Sequence, residues 1–184
     1  MRFVELITGQ PKLQRLYDDY KRTHSDDDNF WESAVEFLNV EINYSRTQLH
    51  ALPKEGPLIA VANHPFGVLD GLAIGYILSR VRPDIKILAH STLGRAEPLR
   101  PYLIPILFDG DKAALRANVE SKEVALRHLD KGGAIIIFPA GRVATAEKIF
   151  GEATVHPGTR VTVRLVPHSN ATVVPMFFEG QNSW

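Results

Sequence analysis

Leu58-Ile59-Ala60-Val61-Ala62-Asn63-His64-Pro65-Phe66-Gly67-Val68-Leu69-Asp70-Gly71-Leu72-Ala73 is the stretch that decides the fold. Its first five residues are a continuous apolar run without the polar alternation of a half-solvated strand, so they predict a strand buried on both faces. Residues 63–67 are rich in breakers and form a turn. Residues 69–81 follow, with Leu72, Ala73, Tyr76, Ile77 and Arg80 at helical spacing. A buried strand that passes through a turn into a helix opens an α/β layer structure.

Working outward, the spacing predicts strands over residues 84–90 and 103–108. A long amphipathic helix follows over 111–129, with Leu115, Val119, Leu126 and Leu129 inward, ended by Gly132 and Gly133. Residues 134–138 read as a central strand, 139–141 as a turn, 158–166 as a helix and 172–178 as a last strand. Upstream, Leu13, Leu16, Tyr17 and Tyr20 mark a surface helix over 11–22. The acidic link 25–28 supplies an N-cap for a second helix carrying Phe30, Trp31, Val35, Phe37 and Leu38. Alternation at Val40, Ile42 and Tyr44 predicts a strand, and Leu52, Pro53, Gly56 and Pro57 a turn before Leu58. The expected fold class is α/β, a mostly parallel central sheet flanked by helices behind an N-terminal helical leader. A single domain is expected over 1–184, with the leader at 1–39 and the core at 40–184. The last strand stops six residues before Trp184, which suggests a C-terminally truncated chain.

Composition narrows the function classes. Among 184 residues, 45% are hydrophobic, enough for one sizeable core. Lys plus Arg and Asp plus Glu balance at 21 each, so no net field favours nucleic acid as a partner. Cysteine is absent, which removes disulfides, thiolate metal sites and a cysteine nucleophile. The N-terminus lacks the apolar core and cleavage site of a secretory signal, and no apolar run approaches the roughly 20 residues of a bilayer span. A cytoplasmic protein with at most peripheral membrane contact is expected.

In open α/β sheets, reactive groups gather where strands end and helices begin, which points to the turns after Ala62 and Phe138. The first turn holds a histidine and an aspartate. His64 lies at the strand end and Asp70 just inside the helix, near enough to bond one imidazole nitrogen and leave the other for substrate. Such a pair can remove a proton from a hydroxyl without an enzyme nucleophile. The chain has no G-x-S-x-G elbow, no H-E-x-x-H helix and no glycine-rich phosphate loop. On spacing alone, a structural histidine that caps the turn remains the alternative. His24, His50, His128, His156 and His168 show no metal-ligand spacing, and no metal is expected. His90 follows a strand and is a candidate for lining the cleft. Phe66, Leu69, Leu72 and Tyr76 are candidates for the wall of an apolar channel, with the core as their alternative and the expected place of Leu72.

Asn63-His64-Pro65-Phe66-Gly67-Val68-Leu69-Asp70-Gly71 resembles the first motif of the glycerolipid acyltransferase superfamily. Phe138-Pro139-Ala140-Gly141-Arg142 is similar to its substrate-binding Phe-Pro-Glu-Gly block, and Val173-Val174-Pro175-Met176 to its final Val-Val-Pro strand. The likeness covers residues 56–182. Residues 6–31 resemble the leader of bacterial lysophospholipid and ornithine-lipid acyltransferase-like proteins. The resemblance implies His64 as general base and Asp70 as its partner. It implies substrate contacts at Asn63, Pro65, Phe66, Gly67, Phe138, Pro139, Ala140, Gly141 and Arg142. It also implies an acyl thioester on acyl carrier protein or coenzyme A as donor, no further cofactor, and a lysolipid acceptor such as lysophosphatidic acid or a lyso-ornithine lipid. The place implied is the inner face of a bacterial cytoplasmic membrane. Two departures stand out. Five residues rather than four separate His64 from Asp70, an addition that Gly67 can absorb in a bulge. Ala140 stands where many members carry Glu. Arg142, Lys112 and Arg116 are candidates for a phosphate or carboxylate, with a solvated surface role as the alternative. A non-catalytic lipid- or acyl-carrier-binding module, a truncated inactive acyltransferase, and a thioesterase remain the competing readings.

Overall fold

Ala134–Ile137 is buried at all four positions because it is the middle strand of the sheet. In this computed structural model, which describes residues 29–108, 111–139 and 165–180, five strands share one sheet. They are β1 (Leu58–Ala62), β2 (Ile85–His90), β3 (Leu103–Ile106), β4 (Ala134–Ile137) and β5 (Thr172–Met176). Their order is β3-β2-β4-β1-β5, and every neighbouring pair is parallel. The register sets Leu58 beside Ala134 and Thr172, so β1, β4 and β5 begin level and their carboxyl ends lie together. The expected mostly parallel sheet is parallel throughout among the described residues.

Helices α1 (Phe30–Phe37), α2 (Arg46–His50), α3 (Val68–Ser79) and α4 (Lys112–Asp130) complete the described elements, with short 3-10 segments at Ser91–Arg95, Glu97–Tyr102 and Val166–His168. The chain divides into two compact units, Met1–Glu41 and Ile42–Trp184. In the first, α1 is capped by Asn29, whose side chain accepts from the Trp31 N–H at 3.2 Å. That is one residue beyond the acidic link expected to cap it. The predicted helix over 11–22 lies outside the described residues, as does nearly all of the one over 158–166.

Within the second unit, α3 is buried nearly all round, including Asp70, Leu72, Ala73, Ile74 and Leu78. An apolar helix of that kind has no solvent stripe and must be enclosed. Gly71 is what lets it approach the sheet, since a Cβ there would sit 3.1 Å from Ile87 Cδ1. On the α4 side, Ile59, Leu88, Ile104, Ile106, Ile135 and Ile137 pack with Ala125, Leu129 and Leu165 into one buried cluster. Each isoleucine and leucine of the cluster contributes about 1.5–3 kcal/mol of transfer free energy.

Two expectations fail here, in part or in whole, for physical reasons. The inward face of α4 is the predicted one at Leu129, which is buried, and at Leu126, which packs half-buried against the core, but not in its first half: Leu115 and Val119 are 59% and 58% exposed, while Ala114, Ser121 and Ala125 are buried. The helix turns its small and polar residues to the sheet because they bond the main chain of the β3 exit. The Ser121 hydroxyl donates to the Pro105 carbonyl, and the Asn118 amide both accepts from the Leu107 N–H at 2.9 Å and donates to its carbonyl at 2.7 Å. The second failure is the strand at Val40, Ile42 and Tyr44. Those residues are half-buried and their neighbours Glu41 and Asn43 exposed, yet among the described residues no strand pairs with them. Period-two burial reports a one-sided environment, not a hydrogen-bonded ladder. The segment ends at Ser45, whose hydroxyl caps α2 through the Gln48 N–H.

Candidate active site

β1 feeds β2 on one side of the sheet order and β4 feeds β5 on the other. Such a reversal between adjacent strands marks the crevice where open α/β sheets take ligands. The turn after β1 and the residue after β4 both carry site candidates. His64 and Phe138 meet there, with ring centroids 4.1 Å apart and planes inclined by 22°.

His64 Nδ1 lies 2.9 Å from Asp70 Oδ2, and the same oxygen accepts the Phe66 N–H at 2.9 Å. The Asp70 side chain is fully buried and that of His64 is 17% exposed. Because a carboxylate only accepts, Nδ1 carries the proton of the neutral ring and Nε2 is left as a lone-pair acceptor. Gly67 makes the turn possible, since its φ of 71° and ψ of −125° belong to backbone that an L side chain rarely adopts. Asp70 Oδ1 is buried and has no hydrogen-bond partner among the described residues.

The turn is held from the side by β5. Asn63 Nδ2 donates to the Phe178 carbonyl at 2.9 Å, and Asn63 Oδ1 accepts the Phe178 N–H at 2.7 Å. The amide thus adds one more rung to the β1–β5 pairing. Next to it, the Phe66 ring lies against Gly180, where a Cβ would come within 3.2 Å of Phe66 Cζ at a φ of 97°. Sequence reasoning named Asn63 without this role, because nothing in the local sequence says that residue 178 will return beside it.

Of the residues singled out by sequence, the structure brings together Asn63, His64, Phe66, Gly67, Asp70 and Phe138. Pro65 is buried in the turn and Pro139 follows Phe138 half-buried. Ala140, Gly141 and Arg142 lie outside the described residues. Lys112 and Arg116 are exposed at the start of α4. Leu72 is core at 8% exposure, as expected, whereas Leu69 is 40% exposed beside the turn. His90 ends β2 at the same end of the sheet. Its Nδ1 meets the Thr92 hydroxyl at 2.8 Å and the Thr92 N–H at 3.3 Å, and its ring stacks on Phe108. Thr92 was not foreseen, although a hydroxyl two residues past a strand-ending histidine is a readable signal. Among the described residues no cluster of three His, Cys, Asp or Glu could hold a metal ion, and no helix is long and apolar enough to cross a membrane.

With this geometry in view, the sequence pattern of an acyltransferase family matches residues 28–184, and the chain belongs to that family. The match agrees with the resemblance carried by the His64, Phe138 and Val173 blocks. The chain is 31% identical over 183 residues to a lyso-glycine lipid O-acyltransferase of Phocaeicola vulgatus, covering 98% of this chain and 61% of that protein. It is 28% identical over 182 residues to a lyso-glycine lipid O-acyltransferase of Bacteroides thetaiotaomicron, covering 98% of this chain and 63% of that one. The chain thus spans somewhat over three fifths of the length of these curated relatives.

Proposed function

We infer that the chain transfers a fatty-acyl group from an acyl thioester, carried on acyl carrier protein or coenzyme A, to the hydroxyl of a lysolipid. The observation that carries this reading is the hydrogen bond from His64 Nδ1 to the fully buried Asp70 carboxylate, which leaves Nε2 of a partly exposed ring as the proton acceptor. Nε2 takes the acceptor's hydroxyl proton as the oxygen attacks the thioester carbonyl. The tetrahedral oxyanion collapses, the C–S bond breaks, and the departing thiolate receives that proton back from the imidazolium. Asp70 holds the ring in its tautomer and stabilises the imidazolium while it exists. The Phe138 ring fixes the imidazole plane by stacking. No covalent acyl-enzyme is needed.

That both relatives are lyso-glycine lipid O-acyltransferases favours a lyso-glycine lipid as acceptor over lysophosphatidic acid or a lyso-ornithine lipid. Peripheral docking on the inner membrane follows from the lipid nature of that acceptor. The test is transfer from a radiolabelled acyl thioester to a panel of these three lysolipids, by the parent and by His64→Ala. Diacyl product from the parent that His64→Ala fails to make supports the reading, and the panel names the acceptor. A folded parent that binds lysolipid but forms no product supports a binding module instead. Release of free fatty acid in place of diacyl lipid indicates a thioesterase.

A further inference from the structure

His64 lies in the turn two residues past β1 and His90 is the last residue of β2, both at the ligand side of the sheet, and their partners set them to opposite tasks. His64 Nδ1 faces a carboxylate, which can only accept, so its Nε2 is an acceptor. His90 Nδ1 faces the Thr92 main-chain N–H, which can only donate. Nδ1 of His90 must therefore be the lone-pair nitrogen, with the Thr92 hydroxyl as a second donor to it, and the proton resides on Nε2. The ring is further held by stacking on Phe108, centroids 5.5 Å apart and planes inclined by 21°. No partner occupies His90 Nε2 among the described residues. The result is a neutral N–H donor of fixed direction, held from three sides and without a mate.

Resting on the acyl-transfer reading, we propose that His90 is a substrate-binding residue, its Nε2–H donating to a carbonyl or carboxylate oxygen of the substrate remote from the reacting atoms. Distance decides against an oxyanion role. β4 lies between β1 and β2, so the ends of those two strands are separated by about 10 Å, two strand spacings. The oxyanion must form within about 3 Å of its donors while the attacking hydroxyl sits at hydrogen-bond distance from His64 Nε2. His90 is too far away for that. A group several bonds along the substrate is within its reach, and two sources offer such an oxygen: the amide or carboxylate of an amino-acid lipid headgroup, and the amide carbonyls of the donor's thiol-bearing arm. The N–H recognises either by the same chemistry.

The experiment is steady-state kinetics of the full chain with lyso-glycine lipid as acceptor and acyl-coenzyme A as donor, each varied in turn, for His90→Phe and His90→Gln. Phenylalanine keeps the stack on Phe108 and deletes the donor, whereas glutamine can place an N–H near the Nε2 position. His90→Phe should raise KM for one substrate about 10-fold, the scale of one lost hydrogen bond to a carboxylate or amide, with kcat within a factor of 2–3. His90→Gln should recover most of that loss. Which KM moves names the source of the oxygen: the acceptor's for a headgroup, the donor's for the thiol-bearing arm. Unchanged KM for both substrates in a folded, active His90→Phe overturns the proposal. So does an equal loss in His90→Phe and His90→Gln, which a purely structural histidine would give. Failure of the underlying reading looks different, since the parent itself would then form no diacyl lipid.

Discussion

The two ends of the sheet hold the same kinds of side chain in opposite states of completion. At the amino end, Arg82 is 2% exposed and spends all five of its N–H donors. Nε and Nη2 grip the Asp84 carboxylate at 2.9 and 2.6 Å, Nη1 reaches the Gly56 and Pro53 carbonyls, and Nη2 also reaches that of Gly132. His128 Nε2 bonds the Asp84 carbonyl at 2.7 Å. A Schellman turn at Gly132 and Gly133, with N–H bonds to Leu129 and His128, closes α4 over this knot. A Cβ on Gly133 would collide with the His128 ring at 2.3 Å, so only glycine fits. The starts of β1, β2 and β4 are thereby tied to one guanidinium. At the carboxyl end, His64 Nε2, His90 Nε2 and Asp70 Oδ1 have no partner among the described residues. Asp70 Oδ1 is buried, so leaving it incomplete costs stability, and a fold retains such a group where a ligand or a reaction completes it, while the two histidine nitrogens are partly exposed and open to a substrate. Hydrogen-bond completeness, rather than residue type, separates the structural histidine–aspartate cluster from the candidate site.

That contrast can be broken from either end. The largest effect is expected at the carboxyl end, where His64→Ala and Asp70→Asn should each lower kcat by about 10²- to 10⁴-fold. Their denaturation midpoints should stay near that of the parent, which urea titration followed by circular dichroism checks. At the amino end, Arg82→Met should cost about 3–5 kcal/mol of stability, because it leaves a carboxylate and three carbonyls without their donor. Here the urea midpoint should fall while kcat of the remaining folded enzyme changes little. If Arg82→Met instead lowers kcat as much as His64→Ala, the division of labour between the ends is wrong.

Asn63 joins the two behaviours, being part of the site's turn while fully engaged with Phe178. Asn63→Leu removes both bonds at nearly constant volume and should cost about 1–3 kcal/mol, read as a lower melting temperature. The smallest effect is a pH dependence. The hydrogen bonds and charge of Arg82 hold the Asp84 carboxyl below its usual value of 3.8. The folded chain therefore binds fewer protons there than the unfolded one, and the stabilisation is fully present above that value. It is lost as pH falls through the depressed folded value. With 37% of the Asp84 side chain exposed, solvent screening keeps the effect modest. The slope of stability against pH below about pH 4 should be shallower in Asp84→Asn than in the parent.

What was legible in the sequence divides along the range of the interactions concerned. The β1 strand, the glycine-centred turn and the following helix were readable because period, breakers and helical spacing are all local signals. His64 and Asp70 were readable for the same reason, since six positions along one turn bring them into contact. The inward face of α4 was readable only at its end, at Leu126 and Leu129. Leu115 and Val119 are the better hydrophobic residues, but Asn118 and Ser121 find carbonyls and an N–H on the β3 exit that no sequence pattern announces. Arg82 passed without notice because its partners are contributed by residues 53, 56, 84 and 132, brought together only by strand order.

By itself, then, the sequence determined the α/β class, the βα turn that carries His64 and Asp70, and the family resemblance of three short blocks, because each depends on residues within a few positions of one another. Only the tertiary structure decided the order β3-β2-β4-β1-β5, the clip of Asn63 onto Phe178, the stack of His64 on Phe138 and the opposite tautomers of His64 and His90. Strand order follows from which helices can bury their faces together. Once that order places two loops side by side, hydrogen-bond direction decides which nitrogen keeps its proton.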